Sequence, residues 1–241
     1  MRTSNFTKAG FKNAEHALNP KQAMSITSTL QKALLLTIIV FIFGGVSWVY
    51  FPLYLLFPLL IITFIGGFGI IILLMFKPRL AKFFVFPYAI LEGLFLGLVS
   101  KLFESAYPGI VINAIIITIL IAVGMNVLYQ SRIIKVTQQF RAVMSMLIFA
   151  ILGIYLVSFI LMFFGTTIPL IHDSGPIGIG FSVFVVIIAS LTFLLDFDMI
   201  EQFSKQQLHK DYEWYGAFSL LVTLIWLYIE ILKLLSKLRR N

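Results

Sequence analysis

Three carboxylates stand in or at the end of stretches of this chain that are otherwise almost uncharged. An acid in that setting has two chemical uses: it holds a proton or it holds a cation. Glu92 lies in the apolar run Phe83–Phe103 and Glu230 in Tyr215–Leu235, while Asp196, followed by Asp198 and Glu201, closes Ile177–Leu195. No Lys or Arg lies deep in any apolar run to neutralise Glu92. A carboxylate kept from water without a cationic partner either stays protonated or binds a positive ion. Oxygen donors without cysteine suit a hard cation such as Ca2+, held transiently at Glu92 or Asp196, and Asn113, Thr118 and Asn126 could add neutral oxygens.

Each acid also has a plainer reading. Glu92 can be protonated and hydrogen-bonded to a neighbouring helix. Glu230 can pair with Lys233 three residues on. Asp196, Asp198 and Glu201 can be interfacial polar residues. Around a helix Asp196 and Asp198 are about 160° apart and cannot face one site, whereas Asp198 and Glu201 are about 60° apart. Gly93 and Gly97 form a small-residue face beside Glu92 that lets another helix approach closely.

Other chemistries lack their residues. The chain has no cysteine, hence no disulfide, thiol nucleophile or thiolate-bound metal. His16, His172 and His209 are scattered over tail and loops and make no metal site. An intramembrane protease needs a Ser–His pair or aspartates in two spans, and neither is supplied. The chain therefore reads as no enzyme, and no cofactor is expected.

The elements that must position these acids are seven apolar runs: Leu34–Tyr50, Leu53–Phe76, Phe83–Phe103, Ile110–Gln130, Ala142–Phe164, Ile177–Leu195 and Tyr215–Leu235. A helix crosses about 30 Å of hydrocarbon with roughly 20 apolar residues. Composition agrees, with 60% hydrophobic residues, 12% charged, 25 Phe and a mean hydropathy of +1.02. Too few polar residues remain to cover a soluble globule. The runs do not alternate as the strands of a membrane barrel would. The fold class is all-α, a polytopic bundle of seven transmembrane helices, and the lipid bilayer is its first partner.

The net charge of +8 sits in tails and loops, where it meets anionic lipid and sets orientation, so nucleic acid is not expected as a partner. Alternate connections divide the Lys and Arg residues 13 against 5. The larger group comprises the N-terminal tail, the loops after spans two and four, and Lys205 and Lys210. The positive-inside rule then makes the N-terminus cytoplasmic. Lys233, Lys237, Arg239 and Arg240 break the rule at the far end unless the last segment is re-entrant. On this topology Asp196, Glu92 and Glu230 lie at the inner, middle and outer depth. The chain divides into a basic tail, 1–33, a membrane domain, 34–235, and a short basic end, 236–241. No cleavable leader is read; a weak amphipathic helix near Pro20–Gln31 is weighed against a solvated tail. Phe51-Pro52 closes a tight hairpin, and Gly165–Pro176 is a flexible approach to span six. No internal repeat supports an inverted-repeat transporter.

Several segments carry a resemblance. They are Leu91-Glu92-Gly93-Leu94-Phe95-Leu96-Gly97, Leu195-Asp196-Phe197-Asp198-Met199-Ile200-Glu201, and Asp211-Tyr212-Glu213-Trp214-Tyr215 leading to Leu227-Tyr228-Ile229-Glu230-Ile231-Leu232-Lys233-Leu234-Leu235. Met1-Arg2-Thr3-Ser4-Asn5 adds to them, with Phe6 where proline is expected. In this order and spacing the chain resembles the Bax inhibitor family, the transmembrane Bax inhibitor motif proteins, in its bacterial branch. The resemblance implies seven helices with the last surrounded by six, in a bacterial inner membrane. It implies a pH-sensitive Ca2+ leak gated by aspartates in helices six and seven. Asp196 matches the first aspartate; the second falls on Val222 or Thr223, so any replacement must be another acid, with Glu230 and Glu92 the candidates. Some bacterial relatives are linked instead to a membrane-bound quality-control protease, which makes a non-conducting partner protein the rival reading.

Overall fold

A computed structural model describes residues 22–166 and 174–240. The basic tail up to Lys21, with His16 and the Met1–Phe6 segment, lies outside the described residues, as do Pro169, His172 and Asp173. Among the described residues there are seven helices long and apolar enough to cross a bilayer. They are α1 (Ile26–Tyr50), α2 (Leu53–Phe76), α3 (Pro78–Ala106), α4 (Ile110–Gln130), α5 (Gln138–Phe163), α6 (Pro176–Lys205) and α7 (Tyr212–Arg240). The chain is all-α; the described residues hold one isolated antiparallel bridge, Ala23 with His209, and no strand.

Five helices outrun the apolar stretches that announce them. α1 starts at Ile26 rather than Leu34, so Ile26–Gln31 belongs to the first span and not to a separate tail helix. Ser25 explains the start: its backbone is extended and its hydroxyl accepts the Ser28 N–H at 3.1 Å, satisfying one of the donors a helix leaves open. α6 continues from Leu195 to Lys205 and therefore carries Asp196, Asp198 and Glu201 on a helix. Hydropathy marks where lipid stops, not where the helix stops. In the interface, caps and ion pairs sustain further turns.

Breaks fall where the residues require them. Pro52, extended at φ −74°, joins α1 to α2. Within α2 a wide π segment spans Thr63–Gly67. Pro87 sits inside α3. Gly109 turns the chain into α4 at φ +81°, a left-handed conformation that glycine adopts without penalty.

The chain forms two compact units, Met1–Ser105 with Met199–Val222, and Ala106–Asp198 with Thr223–Asn241. In the first, α1 and α3 approach at backbone distance. A Cβ on Gly93 would lie 2.8 Å from the Val40 carbonyl oxygen, and one on Gly97 would overlap the Gly44 carbonyl and the Ser47 hydroxyl. The core of this unit includes Leu36, Val85, Ala89, Leu98, Ile200 and Leu221. In the second unit, Met144 and Ile151 of α5 pack on Val185 and Ile188 of α6, with Trp226 of α7 against them. α3 and α7 are the most buried spans and α5 the least. Large apolar side chains face outward throughout: Val49 is 66% exposed, Leu120 65% and Met146 65%. That surface suits hydrocarbon rather than water.

Candidate functional site

Asp196 is buried on α6, four residues after Thr192, the last polar residue before it. The Thr223 hydroxyl of α7 donates to its Oδ2 at 2.6 Å, and Thr223 is buried as well. Thr223 is one of the two positions at which sequence reasoning seeks a second aspartate. The contact selects Thr223 over Val222 as the residue facing Asp196. A carboxylate and a hydroxyl thus meet, and of the two only the carboxylate is an acid that can carry a negative charge.

Glu230 has a cation. Its Oε1 accepts from Lys233 at 3.0 Å and its Oε2 from the Tyr155 hydroxyl of α5 at 2.8 Å. The Lys233 ammonium also lies 4.4 Å from the centre of the Tyr155 ring. Of the two sequence readings, the structure takes the ion pair. Glu230 is therefore not an acid without a positive neighbour, and the side chain bonded to Asp196 is that of Thr223.

The remaining acids of α6 are held separately. Asp198 forms an ion pair with Arg141 at the start of α5. Glu201 pairs with Lys205 on its own helix at 2.5 Å. Their neighbouring helical angles thus bring them to different cations.

Glu92 is buried in α3 and hydrogen-bonded by the Tyr88 hydroxyl one turn before it. A Cβ on Gly67 would lie 3.1 Å from Glu92 Oε1, so the π segment of α2 makes room for this carboxylate with a missing side chain. Such wide turns are rare and recur at functional sites. Gly93 and Gly97, next to it, hold the α1–α3 crossing.

Of the three neutral side chains proposed for a cation, two have hydrogen-bond partners on their own helix. The Thr118 hydroxyl donates to the Ala114 carbonyl at 2.7 Å, and Asn126 accepts from Gln130 at 2.9 Å. Asn113 is exposed. Among the described residues no three His, Cys, Asp or Glu side chains converge as a metal site.

One polar cluster escaped sequence reasoning. Glu213, second residue of α7, accepts from the Ser25 N–H at 2.9 Å, the Ser28 hydroxyl at 2.7 Å and Lys32. It places a carboxylate at the N-terminus of α1, where the helix dipole favours negative charge. Beside it Asp211 accepts from Lys82 at 2.8 Å and its N–H donates to His209 Nδ1 at 3.3 Å. Partial burial pushes the Asp211 carboxyl up, but the Lys82 hydrogen bond and charge outweigh this and hold it below the usual carboxylate range. Two backbone bonds finish the clamp, Met24 N–H to the Leu208 carbonyl and Lys210 N–H to the Gln22 carbonyl, both 2.8 Å. Asp211 and Glu213 stand in a segment that carries the family resemblance, but nothing local in the sequence says what they bind.

The family model described as Bax inhibitor 1 like matches residues 3–240. No curated protein matches the chain.

Proposed function

Because the chain belongs to the Bax inhibitor 1 like family over essentially its whole length, we propose that it is a proton-regulated cation leak, with Ca2+ as a permeant ion. The observation that carries this reading is the buried Asp196–Thr223 bond between α6 and α7. An ionised Asp196 accepts that bond with charge assistance. Protonation cancels the charge, weakens the bond and lets α6 and α7 repack, a two-state change driven by one proton. Glu92, lodged against the π segment of α2, is the second carboxylate of the reading, and Glu230 with Lys233 a weaker third. The reading puts the protein in the cell membrane, of the bacterial inner-membrane kind, with a cytoplasmic N-terminus. The excess of Lys and Arg in the alternate loops supports that orientation.

Calcium uptake into liposomes at two pH values tests it, wild type beside Asp196→Asn and Glu92→Gln. The expected result is a several-fold fall in uptake and loss of its pH dependence in Asp196→Asn. Unchanged uptake in both variants removes these residues from the mechanism.

The pairing of Asp198 with Arg141, Glu201 with Lys205 and Glu230 with Lys233 favours a second reading, in which the acids only hold the bundle together. The protein would then be a non-conducting partner of a membrane-bound quality-control protease. It would co-purify with that protease and show no uptake above empty liposomes.

A further inference from the structure

The surroundings of Glu230 describe a receptor for an ammonium ion that the chain itself has filled. A carboxylate, 2% exposed, supplies the counter-charge. The Tyr155 ring supplies a negative face, and its hydroxyl fixes the second carboxylate oxygen by donating to it. The Tyr155 ring packs into an apolar cluster that includes Ile151, one turn before it. A carboxylate beside an aromatic face is the combination that recognises ammonium ligands. The occupant, the Lys233 ammonium, is 3.0 Å from the acid and 4.4 Å from the ring centre, yet its side chain is 33% exposed. The receptor is therefore built into the core, while its ligand hangs on a flexible stem that reaches the surface.

We propose that Glu230 and Tyr155 form a binding site for a primary ammonium ion, occupied in cis by Lys233 as an exchangeable plug. Tethering gives Lys233 an effective concentration on the order of millimolar or above, so a free amine cannot displace it at lower concentration. Removing the lysine leaves a buried carboxylate without its cation, a strongly unfavourable state that an external ammonium relieves. Occupancy is read by binding, so the proposal stands or falls independently of the leak.

The probe is methylammonium chloride, matched against sodium chloride at equal ionic strength, with thermal unfolding of the purified full chain as readout. In Lys233→Met the unfolding midpoint rises by several degrees with methylammonium concentration. Wild type does not respond over the same range, and Glu230→Gln added to Lys233→Met abolishes the response. No rise in Lys233→Met, or an equal rise in all three proteins, overturns the proposal. A second measurement serves if Lys233→Met does not purify: the rate at which an amine-reactive ester labels Lys233, read by mass spectrometry. Tyr155→Phe keeps the ring but loses the hydroxyl that fixes Glu230, and the rate rises several-fold relative to wild type. An unchanged rate means that Lys233 is not held there, and the proposal fails.

Discussion

Thr223 is a small residue in an apolar helix, and it decides what Asp196 can do. The pair differs from two carboxylates in one respect that can be measured: it has a single titrating group. Thr223→Val keeps the shape and removes the donor. It is expected to destabilise the bundle by about 0.5–2 kcal/mol, the range for hydrogen bonds between membrane helices. Thr223→Ser restores the donor and most of that loss, and the midpoints of thermal unfolding in detergent check both. Asp211 offers a pH prediction of known sign. Its folded-state pKa lies below the ordinary aspartate value, so it contributes stability above about pH 4 that is lost progressively as pH falls below that value and through the folded pKa. Asp211→Asn removes this slope, and unfolding midpoints measured from neutral pH down to pH 3 should then run flatter than those of wild type. An identical slope refutes the role. At this scale the sequence exposes acids but not their partners. Glu92, Asp196 and Glu230 stand out because a charge in an apolar run is conspicuous. Tyr88, Tyr155 and Thr223 do not, since neutral polar residues are common in spans and pairing depends on another helix.

Helix contacts explain what α1 and α3 need from their glycines. Gly97 faces the Gly44 carbonyl, a backbone atom that cannot move aside, whereas Gly45, one residue further along α1, has open space around its missing Cβ. Gly97→Ala should therefore cost about 1–3 kcal/mol, the penalty of forcing extra volume into a packed contact. Gly45→Ala should be neutral or slightly stabilising, because alanine is the better helix former. Comparison of the two unfolding midpoints separates a packing effect from a general effect of alanine. The Gly93–Gly97 spacing is readable because two small residues four apart mark one helix face. Helix ends are not readable in that way. Ser25 starts α1 through a cap that lies before the hydropathic signal, α6 runs ten residues past its apolar run to Lys205, and the π segment Thr63–Gly67 leaves no periodic mark at all.

For the molecule as a whole, the seven spans follow from composition alone, because lipid demands long uninterrupted apolar helices and little else satisfies the backbone there. Orientation is harder, and the basic C-terminal end is the reason. Four Lys and Arg residues at the C-terminal end would argue against seven complete crossings if they were loop charges. Three of them are absorbed by the fold. Lys233 pairs with Glu230, Lys237 is buried and donates to the Gly178 carbonyl at 2.9 Å and the Ser182 hydroxyl at 2.8 Å, and Arg239 donates to the Pro108 carbonyl at 2.5 Å. Such residues are ligands of neighbouring helices rather than free charges awaiting an anionic surface. The proposed orientation then rests on the N-terminal tail and the loops on its side, with 13 basic residues against 5. The expected result is opposite sides for the two termini. A reporter that is active only outside the cytoplasm, fused after Asn241, should be active, and the same reporter before Met1 should be silent. Activity of neither fusion would mean that the last segment turns back and both ends are cytoplasmic. Replacing Lys237 by Met should leave the fusion pattern unchanged while lowering the unfolding midpoint, because its work is to hold the start of α6 and not to choose a side.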